Sequence, residues 1–282
     1  MGILKTSTLI GGLLALSLGS LAQAGEDSSL IINGETEITI RAEPPAWSPL
    51  PEVISGWVFR ATETQGLQMD DFENPGMIFV DQAWETWNTA EGAEGKSCAD
   101  CHGEPDSMKG VRTVMPKFNE EKGDMYTLAM YINNCRTERM GADAWGYTGG
   151  AMASMEALIS LQSRGMPISV AIDGPAQPYW ERGKEMYYER TGQLELSCAN
   201  CHEDNYGNMI RADHLSQGQT NGFPVYRLKN AKLNTIHARF KGCVRDTRAE
   251  TYKPGEADFT ALELYVASRG NGLSSEAPSV RN

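Results

Sequence analysis

After residue 24 the chain has no apolar run long enough to cross a bilayer, so the body of the protein is not read as a helical membrane protein. Basic residues are scarce: 25 Lys and Arg stand against 37 Asp and Glu, a net charge of −12. Such a balance disfavours nucleic acid and anionic membrane as partners, and it suits docking with a basic protein as well as plain solubility. Histidine is scarcer still, with four in 282 residues. Two of those four stand in the most informative strings of the chain, Cys98-Ala99-Asp100-Cys101-His102 and Cys198-Ala199-Asn200-Cys201-His202.

Each string is a Cys-x-x-Cys-His site, the attachment signature of a c-type haem. The two thiols form thioethers with the haem vinyl groups, and the adjoining histidine binds the iron from one side. A zinc knuckle or a redox dithiol is the competing reading, and a final histidine in both copies argues against each. The start of the chain agrees. Lys5 precedes the apolar run Leu9–Leu16, and Ala22-Gln23-Ala24 forms a small-x-small cleavage site. Residues 1–24 read as a secretory signal peptide cut before Gly25, which predicts a soluble periplasmic protein with no membrane span. Removing that segment takes away Lys5 alone among charged side chains, leaving 258 residues and a net charge of −13. This length suits two domains.

An internal repeat follows the haem strings. Met115-Pro116-Lys117-Phe118, Cys135 and Ser163-Arg164-Gly165 in the first half match Phe223-Pro224-Val225-Tyr226, Cys243 and Ser268-Arg269-Gly270 in the second. Proline to cysteine is 19 residues in both copies, and Arg136 and Arg139 answer Arg245 and Arg248. Apolar residues at helical spacing precede each Ser-Arg-Gly, at Met155–Leu161 and Phe259–Ala267. The expected fold is mostly α: two tandem cytochrome c-like domains related by internal duplication, at 76–170 and 171–282, after an irregular, Pro-rich N-terminal extension at 25–75. Two copies make a duplication, not a solenoid. Within the extension, Glu35–Ile40 alternates like a short strand. Helices are predicted near Gln82–Thr89, Met125–Asn134, Ser154–Ser163, Tyr179–Arg190, Lys232–Lys241 and Ala257–Ser268. A linker near Ile168–Gln177, bounded by Pro167 and Pro178, divides the domains.

Four cysteines are taken by haem, which leaves Cys135 and Cys243 at equivalent repeat positions. They could form a disulfide, sit as buried spectators, or each be the second axial ligand of its own haem. The third reading is favoured. Met115 is a tempting ligand, yet it lies only 13 residues after His102 and its counterpart is Phe223. Neither His214 nor His237 has a repeat counterpart, so both are read as surface or hydrogen-bonding residues. A thiolate ligand stabilises ferric iron and lowers the potential.

The halves differ around that cysteine. Arg239 and Lys241 replace Tyr131 and Asn133. Arg239 stands four residues before Cys243, on the same helix face. Cations beside a thiolate favour a reactive sulfur and a bound oxyanion. A haem-propionate clamp is the competing role.

The paired Cys-x-x-Cys-His sites, the cysteine after each, and Ala238-Arg239-Phe240-Lys241-Gly242-Cys243-Val244-Arg245-Asp246 resemble the SoxA family of dihaem cytochromes. These are the catalytic subunits of bacterial SoxAX thiosulfate-oxidising complexes. The resemblance covers most of the mature chain. It implies two covalent haems, the first on Cys98 and Cys101 with axial His102 and Cys135, the second on Cys198 and Cys201 with axial His202 and Cys243. It also implies a Cys243 persulfide as the catalytic group, Arg239 as the substrate-binding residue, and an L-cysteine S-thiosulfotransferase activity. The implied partners are the monohaem cytochrome SoxX, the carrier protein SoxYZ, thiosulfate and a downstream c-type cytochrome. Against this stand a dihaem electron carrier without substrate chemistry, a peroxidase-like dihaem enzyme with one open iron position, and a structural subunit.

Overall fold

The structure is a computed structural model that describes residues 1–2 and 29–282; the signal-peptide reading lies outside the described residues. Among them no helix is long and apolar enough to cross a membrane.

The expected irregular extension is not irregular. Strand β1 (Leu30–Ile32) pairs antiparallel with β2 (Thr36–Ile38), and β3 (Arg41–Ala42) pairs with β4 (Val53–Ile54). Helix α1 follows at Thr62–Met69. Leu30, Ile32, Ile38, Ile40, Trp57 and Val58 form a core of their own. The alternation at Glu35–Ile40 is therefore a true strand signal. The other short strands are masked by prolines and by their two- or three-residue length, which leaves no period to read. The segment is anchored to the second half of the chain. The Ile54 amide donates to Gln217 Oε1 at 2.8 Å, and Arg60 pairs with Asp213.

Two helical units then succeed one another. The first holds α2 (Met77–Asn88), α3 (Ala99–His102), the hairpin β5 (Lys117–Asn119) and β6 (Asp124–Tyr126), α4 (Leu128–Asn134) and α5 (Gly150–Leu161). The second holds α6 (Gln177–Tyr188), α7 (Cys198–His202), a small β7–β8 hairpin (Met209–Ile210 and Asp213–His214) and the hairpin β9 (Val225–Arg227) and β10 (Lys232–Asn234). It ends with α8 (Ile236–Asp246), α9 (Ala257–Ser268) and β11 (Ser279–Arg281), which runs parallel to β9. Local chemistry repeats with the elements. Ser97 and Asp100 exchange bonds at the start of the first haem string, as Ser197 and Asn200 do at the second. Thr127 caps α4 by accepting from the Met130 amide, and Thr235 caps α8 by accepting from the Ala238 amide.

Two predicted helices began too early. Met125 and Lys232 lie in the returning strands β6 and β10, and each helix starts only after its threonine cap. The helices predicted at Gln82–Thr89, Ser154–Ser163 and Tyr179–Arg190 stand at Met77–Asn88, Gly150–Leu161 and Gln177–Tyr188, and Ala257–Ser268 stands as expected. The predicted linker is not a free spacer. Ile168 and Val170 are buried with Met125 and Leu264, and the Ile168 amide donates to the Leu273 carbonyl.

In each unit the helix before the haem string packs on the last helix. At α6 and α9 the backbones meet so closely that a Cβ on Gly183 would stand 2.0 Å from the Ala261 carbonyl oxygen. A small cavity between the two units is lined by Arg112, Glu156, Ser160 and Glu263 on one hand and by Leu128, Phe223, Pro224 and Ile236 on the other. Beside it His237 is buried, with Nε2 3.1 Å from Glu263 Oε2 and Nδ1 accepting from the Gly255 amide. Nδ1 carries the hydrogen bond of this ring, while Nε2 faces Glu263 without one.

Candidate functional site

The second Cys-x-x-Cys-His string occupies the short helix α7, against a wall of Met186, Tyr187, Phe240, Phe259, Leu262 and Tyr265. Cys243 reaches this site from α8 and lies within electrostatic range of both Cys198 and Cys201. Cys135, at the junction of α4 and a π-helical turn over Cys135–Arg139, stands in the same relation to Cys98 and Cys101. The structure thus brings each lone cysteine to its own Cys-x-x-Cys pair. All six cysteines are unpaired, and nothing joins Cys135 to Cys243. Burial pushes the Cys98 thiol up to about 11 and the Cys198 thiol up to about 12.

The histidines are held in different ways. His202 Nδ1 donates to the Ser216 carbonyl at 2.7 Å, which orients the ring and leaves Nε2 as the lone-pair nitrogen. Burial lowers its pKa to about 4, so the imidazole is neutral. Gly218 leans over this ring at φ +77, and a Cβ there would sit 2.9 Å from His202 Cγ. His102 is positioned by packing, its ring 5.8 Å from that of Trp87, whose Nε1 donates to the Gly103 carbonyl.

These residues fit a covalently attached haem. Arg269 is fully buried beside the second site, over the rings of Tyr187 and Tyr265 and paired with Glu203, yet its Nε and Nη2 have no partner. Those are unmet donors of the kind a propionate satisfies. Arg164, at the same place in the first Ser-Arg-Gly, pairs with Asp71 and also keeps an unpartnered Nε.

The cations are arranged differently at the two sites. Around Cys135, the buried Arg136 pairs with Glu91 at 2.8 Å, donates to the Asp143 carbonyl and stacks on Trp145, while the exposed Arg139 lies within electrostatic range of Cys135 with no ion pair among the described residues. Around Cys243, Arg239 has no ion pair or hydrogen bond among the described residues and lies within electrostatic range of Cys201 and His202. Lys241 is exposed. Sequence reasoning missed Arg227 on β9, within electrostatic range of both Arg239 and Cys243. The signal was present in the repeat, since Asn119 stands where Arg227 does. The arrangement offers a sulfur, a free guanidinium and an adjoining haem-attachment site on one surface.

Comparison with known proteins agrees with this geometry. The model of the SoxA/TsdA cytochrome c domain matches residues 82–168 and 182–274. The chain is 57% identical to the L-cysteine S-thiosulfotransferase subunit SoxA of Rhodovulum sulfidophilum, covering 98% of this chain and 99% of the relative. It is 46% identical to the subunit of the same name from Pseudaminobacter salicylatoxidans over 90% of both chains. The crystal structure of SoxXA from P. pantotrophus superposes with a TM-score of 0.88 at 57% identity, covering 91% of this chain and 99% of that one. The cytochrome c domain of this family carries covalently bound c-type haem. The chain belongs to the SoxA/TsdA cytochrome c family, and within it to the SoxA proteins.

Proposed function

We propose that this chain is the catalytic subunit that joins thiosulfate to a cysteine thiol of a carrier protein, as an L-cysteine S-thiosulfotransferase. The observation that carries this reading is Arg239 and Cys243 one helical turn apart on α8, beside the second haem-attachment site. Cys98 and Cys101 hold the first haem and Cys198 and Cys201 the second. His102 and Cys135 would hold the iron of the first haem, and His202 and Cys243 that of the second. Haem, when bound, supplies one-electron acceptors next to the sulfur.

Arg239 grips two sulfonate oxygens of thiosulfate through its planar fork and aims the outer sulfur at Cys243. With Cys243 carried as a persulfide, its outer sulfur bonds to that of thiosulfate, and two electrons leave. A carrier thiol then loses its proton and attacks the thiosulfonate sulfur. Cys243 persulfide is the leaving group, and the carrier departs as cysteine S-thiosulfonate. The net change is one thiol plus thiosulfate giving the S-thiosulfonate, one proton and two electrons. Among the described residues no carboxylate competes with thiosulfate for the Arg239 guanidinium.

The solved SoxXA relative supports SoxX as the partner, with SoxYZ as the carrier and a c-type cytochrome downstream. The repeated caps, hairpins and cysteine placements support one duplicated unit, with domains at 76–170 and 171–282 after an N-terminal extension at 25–75. The start of the sequence supports a periplasmic location.

The test is thiosulfate- and carrier-dependent electron release by the assembled complex. Cys243→Ala should abolish turnover. Arg239→Ala should raise KM for thiosulfate about 10- to 100-fold, the loss of a charged hydrogen-bonded contact of roughly 1.5–3 kcal/mol. Full turnover in both variants would leave a dihaem electron carrier as the reading.

A further inference from the structure

Arg227 and Arg239 share one problem. Each is partly buried, each is within electrostatic range of the other, and neither has an ion pair among the described residues. Asp213 and Asp246 also face Arg227, but Asp213 is engaged by Arg60, and Asp246 makes its contact with Arg245. Two guanidiniums held together in a chain of net charge −12 need a shared anion to offset their repulsion. Cys243 is within range of Arg227 and stands one helical turn from Arg239 on α8.

The first half shows that these two positions face each other. The β5–β6 and β9–β10 hairpins have matching registers, with Asn119 opposite Asp124 and Arg227 opposite Lys232. Arg227 therefore corresponds to Asn119, as Arg239 does to Tyr131. In the first unit the Asn119 side chain lies beside the Tyr131 hydroxyl. A neutral contact that closes on itself at the first site is replaced at the second by two cations that cannot. Arg227 is also held in place: its Nε donates to the Asn282 carbonyl at 2.9 Å, beside β11, leaving both Nη groups for another acceptor.

We propose that Arg227 is a second substrate-binding residue, forming with Arg239 a two-guanidinium clamp over Cys243 that selects sulfur oxyanions bearing three terminal oxygens. This rests on the reading of Arg239 as the substrate cation. One fork takes two oxygens and the other takes the third, so the free sulfur atom of thiosulfate is the one presented to Cys243. Sulfate meets the same clamp with no transferable sulfur and acts as a competitive inhibitor. Hydrosulfide, lacking the oxygens, does not engage it.

The test uses the haem-loaded complex with Arg227→Gln, Arg227→Lys and Arg239→Gln. Arg227→Gln should raise KM for thiosulfate about tenfold or more and weaken sulfate inhibition in parallel. Haem content and the low-spin EPR signal of the second haem should not change, and Arg227→Lys should recover part of the lost affinity. Unchanged KM in Arg227→Gln, with KM raised in Arg239→Gln, would overturn the clamp and leave Arg239 acting alone. Altered EPR or lost haem in Arg227→Gln, with sulfate inhibition intact, would assign Arg227 to a propionate and overturn it equally. Unchanged KM in both variants would overturn the Arg239 reading on which the clamp rests.

Discussion

Glu156 gives the sharpest stability prediction. It sits in the middle of α5, buried at the cavity between the two helical units, and faces Glu263 and Arg112, with His237 beyond Glu263. Burial, reinforced by the Glu263 charge and only partly opposed by Arg112, raises its pKa from 4.5 to about 8. A carboxyl raised in the folded state contributes its stability below the unfolded value and loses it as pH rises through the folded one. Over that window the loss is about 1.4 kcal/mol per pH unit, up to roughly 5 kcal/mol in all. Glu156→Gln keeps the shape and removes the titration. Below pH 4.5 the variant and the parent should melt together within a few degrees. By pH 8 the variant should be the more stable, and at 2–4 °C per kcal/mol the gap should reach roughly 10–20 °C. Thermal melts of the haem-loaded protein from pH 4 to pH 9 provide the assay. Parallel curves for the two proteins across that range would refute the reasoning, since the carboxyl would then be ionised or neutral alike in the folded and unfolded chains.

Two backbone contacts give further expectations. Gly183→Ala drives a methyl group into the Ala261 carbonyl, so α6 and α9 must separate and Tyr265, close behind, must shift; the melting temperature should fall by the equivalent of about 3 kcal/mol or more, as for an overpacked core, and a fall of less than 2 °C would contradict the close approach. Gly218→Ala forces a side chain against the His202 ring at a φ that disfavours it; the absorption and EPR of the second haem should change while those of the first do not, and identical spectra would show that the loop does not bear on His202.

The chemistry was more legible in the chain than the scaffold around it. Cys98 to His102 and Cys198 to His202 announce themselves because haem attachment demands fixed residues at fixed spacing. Helix α9 was legible to the residue since it is apolar and ends at Ser-Arg-Gly. The starts of α4 and α8 were misread for one reason. Met125 and Leu233 continue the helical period backwards into strands, and Thr127 and Thr235 were the stop signals that should have overruled it. In the N-terminal segment only β2 was legible, through the alternation at Glu35–Ile40, and β11 was invisible because its partner is chosen by tertiary packing: it pairs with β9 across more than 50 residues. Arg239 was found by helix periodicity. Arg227 escaped because it sits on a strand, where its relation to Arg239 depends on a hairpin turning back into the helix; the Asn119–Tyr131 contact in the other unit discloses it.

The most direct test of the account is low-temperature EPR of the oxidised, haem-loaded complex beside its Cys243→Ala variant, followed by a thiosulfate assay with the carrier on both. The account predicts two low-spin signals of thiolate type in this chain, loss or alteration of one in the variant, and loss of turnover with it. Methionine- or bis-histidine-type signals that survive the substitution unchanged, with turnover intact, would contradict it.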